Sequence, residues 1–84
     1  MTYSVQIKAS AAKALERIDR TDRVRLIEAI DRLRTEPTAG SALKGEFAGL
    51  RRLRVGNYRI IYEVIRDQLR VLVVRIGHRG SVYR

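Results

Sequence analysis

The chain has 84 residues, 45% of them hydrophobic, and carries 18 Lys and Arg against nine Asp and Glu, for a net charge of +9. The length argues for a single domain over residues 1–84, and the hydrophobic fraction excludes a disordered chain. The sequence has no cysteine, one histidine, no apolar run near 20 residues and no signal-peptide pattern, so we expect a cytoplasmic protein without disulfides, a metal site, a small-molecule cofactor or membrane contact.

The first half of the chain predicts a strand followed by two helices. Tyr3, Val5 and Ile7 alternate with polar residues, which is typical of a half-buried strand. Apolar residues at spacings of three and four predict helices over residues 9–19 and from about residue 21 to Pro37. Thr21 is the expected N-cap of the second helix. The short break between the helices predicts a helical hairpin.

The second half predicts a loop and then a three-stranded meander. Residues 37–49 contain three glycines and the only proline, and read as a loop. The periodicity then changes to two over residues 51–55, Gly56-Asn57 predicts a tight turn, and residues 58–65 and 69–77 predict two further strands. The expected fold is therefore α+β, with element order β-α-α-β-β-β, a small mostly antiparallel sheet and the helical hairpin packed on one face.

The positive charge is concentrated in the last 34 residues. Residues 1–50 carry nine basic and seven acidic groups, whereas residues 51–84 carry nine arginines against only Glu63 and Asp67. This asymmetry favours a polyanionic partner, most often a nucleic acid, although a solvated surface or an acidic protein partner would also account for it. Because positions i and i+2 of a strand share a face, Arg52 and Arg54 should project together. Three adjacent strands span about 10 Å, so the arginines of all three are expected to converge on one face opposite the helices.

Two segments carry a resemblance to a known family. They are LKGEFAGLRRLRVGNYRIIYEV, residues 43–64, and VVRIGHRGSVYR, residues 73–84. With its length and element order, the chain resembles the RelE/ParE superfamily of toxins from bacterial type II toxin–antitoxin modules, and looks most similar to the RelE-like members. The resemblance implies a small cytoplasmic protein that enters the ribosomal A site, cuts mRNA there without a metal, and is neutralised by a cognate antitoxin.

The resemblance also assigns roles to individual residues. Arg59 matches the arginine of the central strand, Arg79 the arginine after the last strand, and Tyr83 the C-terminal tyrosine. Arg52 matches one of two basic positions on the preceding strand. Leu50 occupies the other position, where a one-residue shift of the alignment would place Arg51.

These residue types suit RNA cleavage by attack of the 2′-hydroxyl group on the adjacent phosphate. Arginines bind phosphate oxygens in pairs of hydrogen bonds and stabilise developing negative charge, and a tyrosine can stack on an unpaired base. His78 can act as a general acid or base near neutral pH. The candidate catalytic set is therefore Arg52, Arg59, His78, Arg79 and Tyr83, and the candidate substrate-binding set is Lys44, Arg51 and Arg54.

Structural roles remain open for the same residues. Arg59 could pair with Glu63 or Glu46, Tyr83 could cover the edge of the core, and His78 could be structural. Glu46 is a weak candidate for a general base, and Tyr58 and Tyr62 are expected in the core.

Three functions compete at this point. The first is a ribosome-dependent endoribonuclease toxin whose partners are the 30S A site, mRNA, the rRNA backbone and an antitoxin. The second is a ParE-like inhibitor of DNA gyrase, and the third is a non-catalytic RNA- or protein-binding module on the same fold.

Overall fold

The computed structural model describes residues 2–78 and has two helices packed on a five-stranded sheet. In chain order the elements are β1 (Ser4–Ile7), α1 (Ala9–Glu16), α2 (Arg20–Arg32), β2 (Ser41–Ala42), β3 (Arg51–Val55), β4 (Tyr58–Ile65) and β5 (Arg70–His78). Short 3-10 turns lie at Gly45–Phe47 and Arg66–Gln68. The strand order is β1-β5-β4-β3-β2. The α+β prediction is confirmed, and neither helix in the described part of the chain is long and apolar enough to cross a bilayer.

The sheet is mostly antiparallel, as predicted. β3 pairs with β4, β4 with β5 and β2 with β3 in antiparallel register, while β1 pairs with β5 in parallel. β2 is a difference from the sequence prediction, which placed a loop over residues 37–49. Its two residues pair with Arg51 and Arg52 at the edge of the sheet, and a strand so short leaves no periodic pattern to detect.

The core lies between the helical hairpin and one face of the sheet. Its buried side chains come from both helices, from the residue after α2 and from the strands β4 and β5: Ala11, Leu15, Leu26, Ile30, Leu33, Ile60, Tyr62, Val71, Val73 and Ile76. Leu53, Val55 and Tyr58 pack against this cluster at its margin. We call the opposite side of the sheet, on which neither helix of residues 2–78 packs, the open face.

The start of α2 also differs from the prediction. Asp19, not Thr21, is the N-cap, and its Oδ2 accepts a hydrogen bond from the Thr21 N–H at 3.3 Å. The helix begins at Arg20, so Thr21 lies within its first turn. Both residue types make good N-caps, and their positions in the sequence alone do not distinguish them.

The turn between β3 and β4 is a two-residue connection, as predicted. Gly56 has a φ of +58°, which a glycine adopts without steric cost, while Asn57 keeps a negative φ. A positive φ at the first central position alone matches a type II′ hairpin turn. The turn fixes the register of β3 on β4, which decides which side chains meet on the open face.

Candidate functional site

The open face carries a group of arginines from β3 and β4. Leu53 of β3 pairs with Ile60 of β4, and both turn toward the helices. Alternation then turns Arg52, Arg54 and Arg59 to the open face. These three residues, here called the arginine cluster, are brought together on one face as the sequence predicted.

The closest approach in the arginine cluster is between Arg54 and Arg59. They are directly opposite each other in the β3–β4 register, next to the hairpin turn. Side chains in such pairs have Cβ atoms about 4.5–5.5 Å apart, and like charges at that separation destabilise a sheet. Within residues 2–78, no carboxylate lies within 4.0 Å of the guanidinium groups of the cluster. This arrangement is suited to binding an anion that lies across both residues.

An apolar residue lies at the centre of the cluster. Ile61 belongs to the open face but is only 3% exposed. It is opposite Arg52 on one side and Arg75 on the other, and Arg59 is its neighbour along the strand. The aliphatic stems of arginine side chains cover apolar surface while their charged ends stay in water. Packing against Ile61 would therefore restrict the stems, and the Arg59 Nε is itself buried without a hydrogen-bond partner among residues 2–78.

Residues 37–40, here called the segment after α2, are held beside β3 by hydrogen bonds to Tyr62. The Tyr62 hydroxyl donates to the Pro37 carbonyl at 2.8 Å and accepts from the Gly40 N–H at 2.9 Å. A Cβ atom on Gly40 would collide with the Arg52 carbonyl and lie 2.9 Å from the Tyr62 hydroxyl, so only glycine fits there. The segment and the edge of β3 enclose a shallow groove that Arg52 and Arg54 line. The groove extends the cationic surface from the open face to the sheet edge.

Arg51 and His78, both predicted in the site, lie on the other face of the sheet. Arg51 is opposite Tyr62, and its Nη2 donates to the carbonyls of Gly40 at 2.6 Å and Thr38 at 3.3 Å. His78 is opposite Tyr58, and the two rings meet edge-on with centroids 5.2 Å apart. The structure thus gives Arg51 contacts to the segment after α2, and does not bring either residue to the arginine cluster.

The remaining predicted residues are not part of the cluster. Lys44 and Glu46 are exposed at the 3-10 turn between β2 and β3. Arg79 and Tyr83 lie outside the described residues. Tyr62 is fully buried and Tyr58 is half-buried, as expected for core tyrosines. Among residues 2–78, no three His, Cys, Asp or Glu side chains form a group that could hold a metal ion.

The sequence patterns missed an arginine that lies on the open face beside the cluster. Arg75 of β5 is exposed and pairs with Ile61, which places it beside the cluster. Strict alternation along β5 would put residues 71, 73, 75 and 77 on one face, and Val71 and Val73 are in the core. An irregularity in the β4–β5 register changes that alternation, and the composition of the strand gives no sign of it.

Comparisons with known proteins agree with this architecture. Residues 5–83 match the family model described as the ParE toxin of the type II toxin–antitoxin system parDE. The chain is 30% identical over 86 residues to the toxin RelG of Mycobacterium tuberculosis, covering 100% of this chain and 99% of that protein.

Two solved structures are similar over nearly the whole chain. A chain of the M. tuberculosis RelBE2 toxin–antitoxin complex superposes with a TM-score of 0.88 at 27% identity, covering 94% of this chain and 100% of that one. A chain of the archaeal RelE–RelB complex from Pyrococcus horikoshii gives a TM-score of 0.80 at 29% identity, covering 98% and 100%.

Proposed function

The chain belongs to the RelE/ParE family of toxins of type II toxin–antitoxin systems, and from this premise we propose that it cuts mRNA in the ribosomal A site. The reaction would be a metal-independent attack of the 2′-oxygen on the adjacent phosphorus, which breaks the P–O5′ bond and yields a 2′,3′-cyclic phosphate and a protonated 5′-hydroxyl group. The observation that carries the proposal is the arginine cluster, in which Arg54 and Arg59 are directly opposite each other.

Arginine side chains suit the charge-stabilising part of this reaction. As the 2′-oxygen attacks, the phosphate gains negative charge, and preorganised cations lower the free energy of that state more than they stabilise the substrate. Arg52 and Arg59 would bind the phosphate oxygens at the reacting centre, while Arg54 would bind the RNA backbone beside it. Arginine stays protonated and is a poor base. The proton transfers therefore need other groups.

The proposal assigns the remaining steps to residues at the end of the chain. Tyr83 would stack on a base and orient the nucleotide, and Arg79 would add charge at the phosphate. His78 would serve as general acid or base, which requires that substrate reach it around the end of the sheet. Lys44 would contact the RNA backbone outside the reacting centre, and Arg51 would do so only if its guanidinium left the Gly40 and Thr38 carbonyls that it binds.

The ribosome and an antitoxin are the proposed partners. A site built mainly from cations supplies charge but little alignment of the attacking oxygen, so the A site would have to hold the mRNA in line and rRNA would contact the basic surface. A cognate antitoxin with acidic segments would cover the same surface. The named relatives found in RelBE and RelE–RelB complexes support such a partner.

The test is cleavage of an end-labelled mRNA on programmed ribosomes, with toxin that has first been treated with EDTA and desalted, so that the ribosomes keep their Mg²⁺. We expect toxin treated in this way to cut at the A-site codon, and a rate lower by about 100- to 1,000-fold in Arg59→Ala, the usual effect of losing one charge-stabilising group. Arg66→Ala removes the same charge from the exposed turn before β5 and should cleave like the wild type. Folded wild-type protein that makes no cuts would overturn the proposal.

A gyrase inhibitor is the second candidate, because the matching family model is described by ParE. A supercoiling assay with purified gyrase decides between the two functions. Inhibition of supercoiling by protein that leaves ribosome-bound mRNA intact would favour the second candidate. Tight RNA binding with neither activity would indicate a non-catalytic binding module.

A further inference from the structure

The register of β4 and β5 is interrupted at one residue. Ile61 pairs with Arg75, but the next residue, Tyr62, pairs with Val73, so Val74 has no partner on β4. This is a β-bulge, in which two residues of one strand are opposite one residue of the other.

The bulge changes which side chains face the core. Val73 and Ile76 are both buried in the core cluster, at 0% and 4% exposure, although they are three residues apart. Unbroken alternation would bury residues 73, 75 and 77 together. With the extra residue, Ile76 turns to the helices in place of Arg75, and Arg75 turns to the open face.

Arg75 thereby becomes a neighbour of Arg59. It is opposite Ile61, the residue two positions after Arg59 on the same face. Such diagonal neighbours are about 7–8 Å apart, within reach of long side chains. Gly77 is directly opposite Arg59 and has no side chain to fill the space between them. An anion above Arg59 would then have Arg54 on one side and Arg75 on the other.

We propose that Arg75 is a further RNA-contacting residue, which binds a backbone phosphate together with Arg59, and that the bulge at Val74 places it there. The inference rests on the proposed function in taking RNA as the ligand. Arg75 forms and breaks no covalent bond in this role. Its guanidinium group donates charge-assisted hydrogen bonds to phosphate oxygens. Bulges are over-represented next to active sites, where they redirect a side chain.

Two variants of Arg75 test the inference in the ribosome assay. In single turnover we expect Arg75→Ala to cleave about 10- to 100-fold more slowly, the effect of losing one hydrogen-bonded contact to a charged group. Arg75→Lys should recover part of the rate, because lysine keeps the charge but loses the paired hydrogen bonds. Arg66→Ala is the control, because it removes the same charge from a position away from the cluster. Urea unfolding of each variant should show a cooperative transition, which establishes that the variant is folded when its cleavage is measured.

A binding measurement separates this inference from the proposed function. For a single-stranded RNA, the slope of log affinity against log salt should become shallower by about 0.7 in Arg75→Ala, as expected for one lost phosphate contact. That result would stand even if the wild type cut no mRNA. Cleavage and salt slope both equal to those of the wild type would overturn the role of Arg75, as would a wild type that binds no RNA.

Discussion

At the scale of single residues, Tyr62 links the sheet to the segment beside the arginine cluster. Its ring is in the core and its hydroxyl bonds two backbone groups, at Pro37 and Gly40. The sequence predicted that the ring is in the core, because Tyr62 shares a face of the predicted strand with Tyr58. It could not identify the two hydrogen bonds, because their partners lie 22 and 25 residues away in a stretch without periodicity.

Tyr62→Phe should destabilise the protein by about 1–3 kcal/mol, since the buried Gly40 N–H loses its acceptor. The measurement is the urea midpoint of unfolding at constant m-value. Tyr58→Phe is the matched control, because the Tyr58 hydroxyl has no hydrogen-bond partner within residues 2–78. Equal midpoints for the two variants would mean that the Tyr62 hydroxyl contributes nothing to stability.

At the scale of secondary structure, the beginning of α2 gives a test that separates the predicted cap from the observed one. Asp19→Ala should cost about 0.5–2 kcal/mol, the usual effect of removing an N-cap. Thr21→Ala should change the free energy of unfolding by less than about 0.5 kcal/mol, as for other exposed positions. Thermal and urea unfolding of both variants would measure this. A larger loss in Thr21→Ala than in Asp19→Ala would contradict the assignment of Asp19 as the cap.

Helices and strands could be predicted where burial of one face imposes a pattern on the sequence. They could not be predicted where pairing with a neighbouring strand alone determines the structure. Both helices and the strands β1 and β3 bury one stripe or face, so their sequences repeat or alternate accordingly, and β4 and β5 are recognisable as apolar runs between turns. β2 is held by its pairing with β3 and leaves no such pattern. The bulge at Val74 likewise leaves no pattern in the sequence. It depends on how β5 fits the neighbouring strand, so the position of Arg75 could not be predicted, whereas those of Arg52, Arg54 and Arg59 could.

At the scale of the whole molecule, the position of the charge should matter more than its total. The three ion pairs among the described residues that involve α2 and the turn after it balance part of the charge there. The arginine cluster has no such balance from residues 2–78. We therefore expect the open face to dominate RNA binding.

The salt dependence of RNA binding tests this expectation. Replacing Arg52, Arg54 and Arg59 by Gln should make the slope of log affinity against log salt shallower by about 2, or about 0.7 for each lost phosphate contact. A charge-matched triple variant, with Gln at the exposed positions of Arg17, Arg20 and Arg66, should keep the wild-type slope. If both variants lost the same amount, net charge and not its placement would govern binding.

The opposed pair of Arg54 and Arg59 has a consequence for the stability of the folded protein. Like charges held opposite each other raise the free energy of the native state, and this penalty disappears when an anion lies between them. Any polyanion that binds the open face therefore stabilises the fold by mass action. The protein without a partner should therefore be the less stable form. A complex with an acidic partner would keep the toxin folded and would also block its RNA-binding surface.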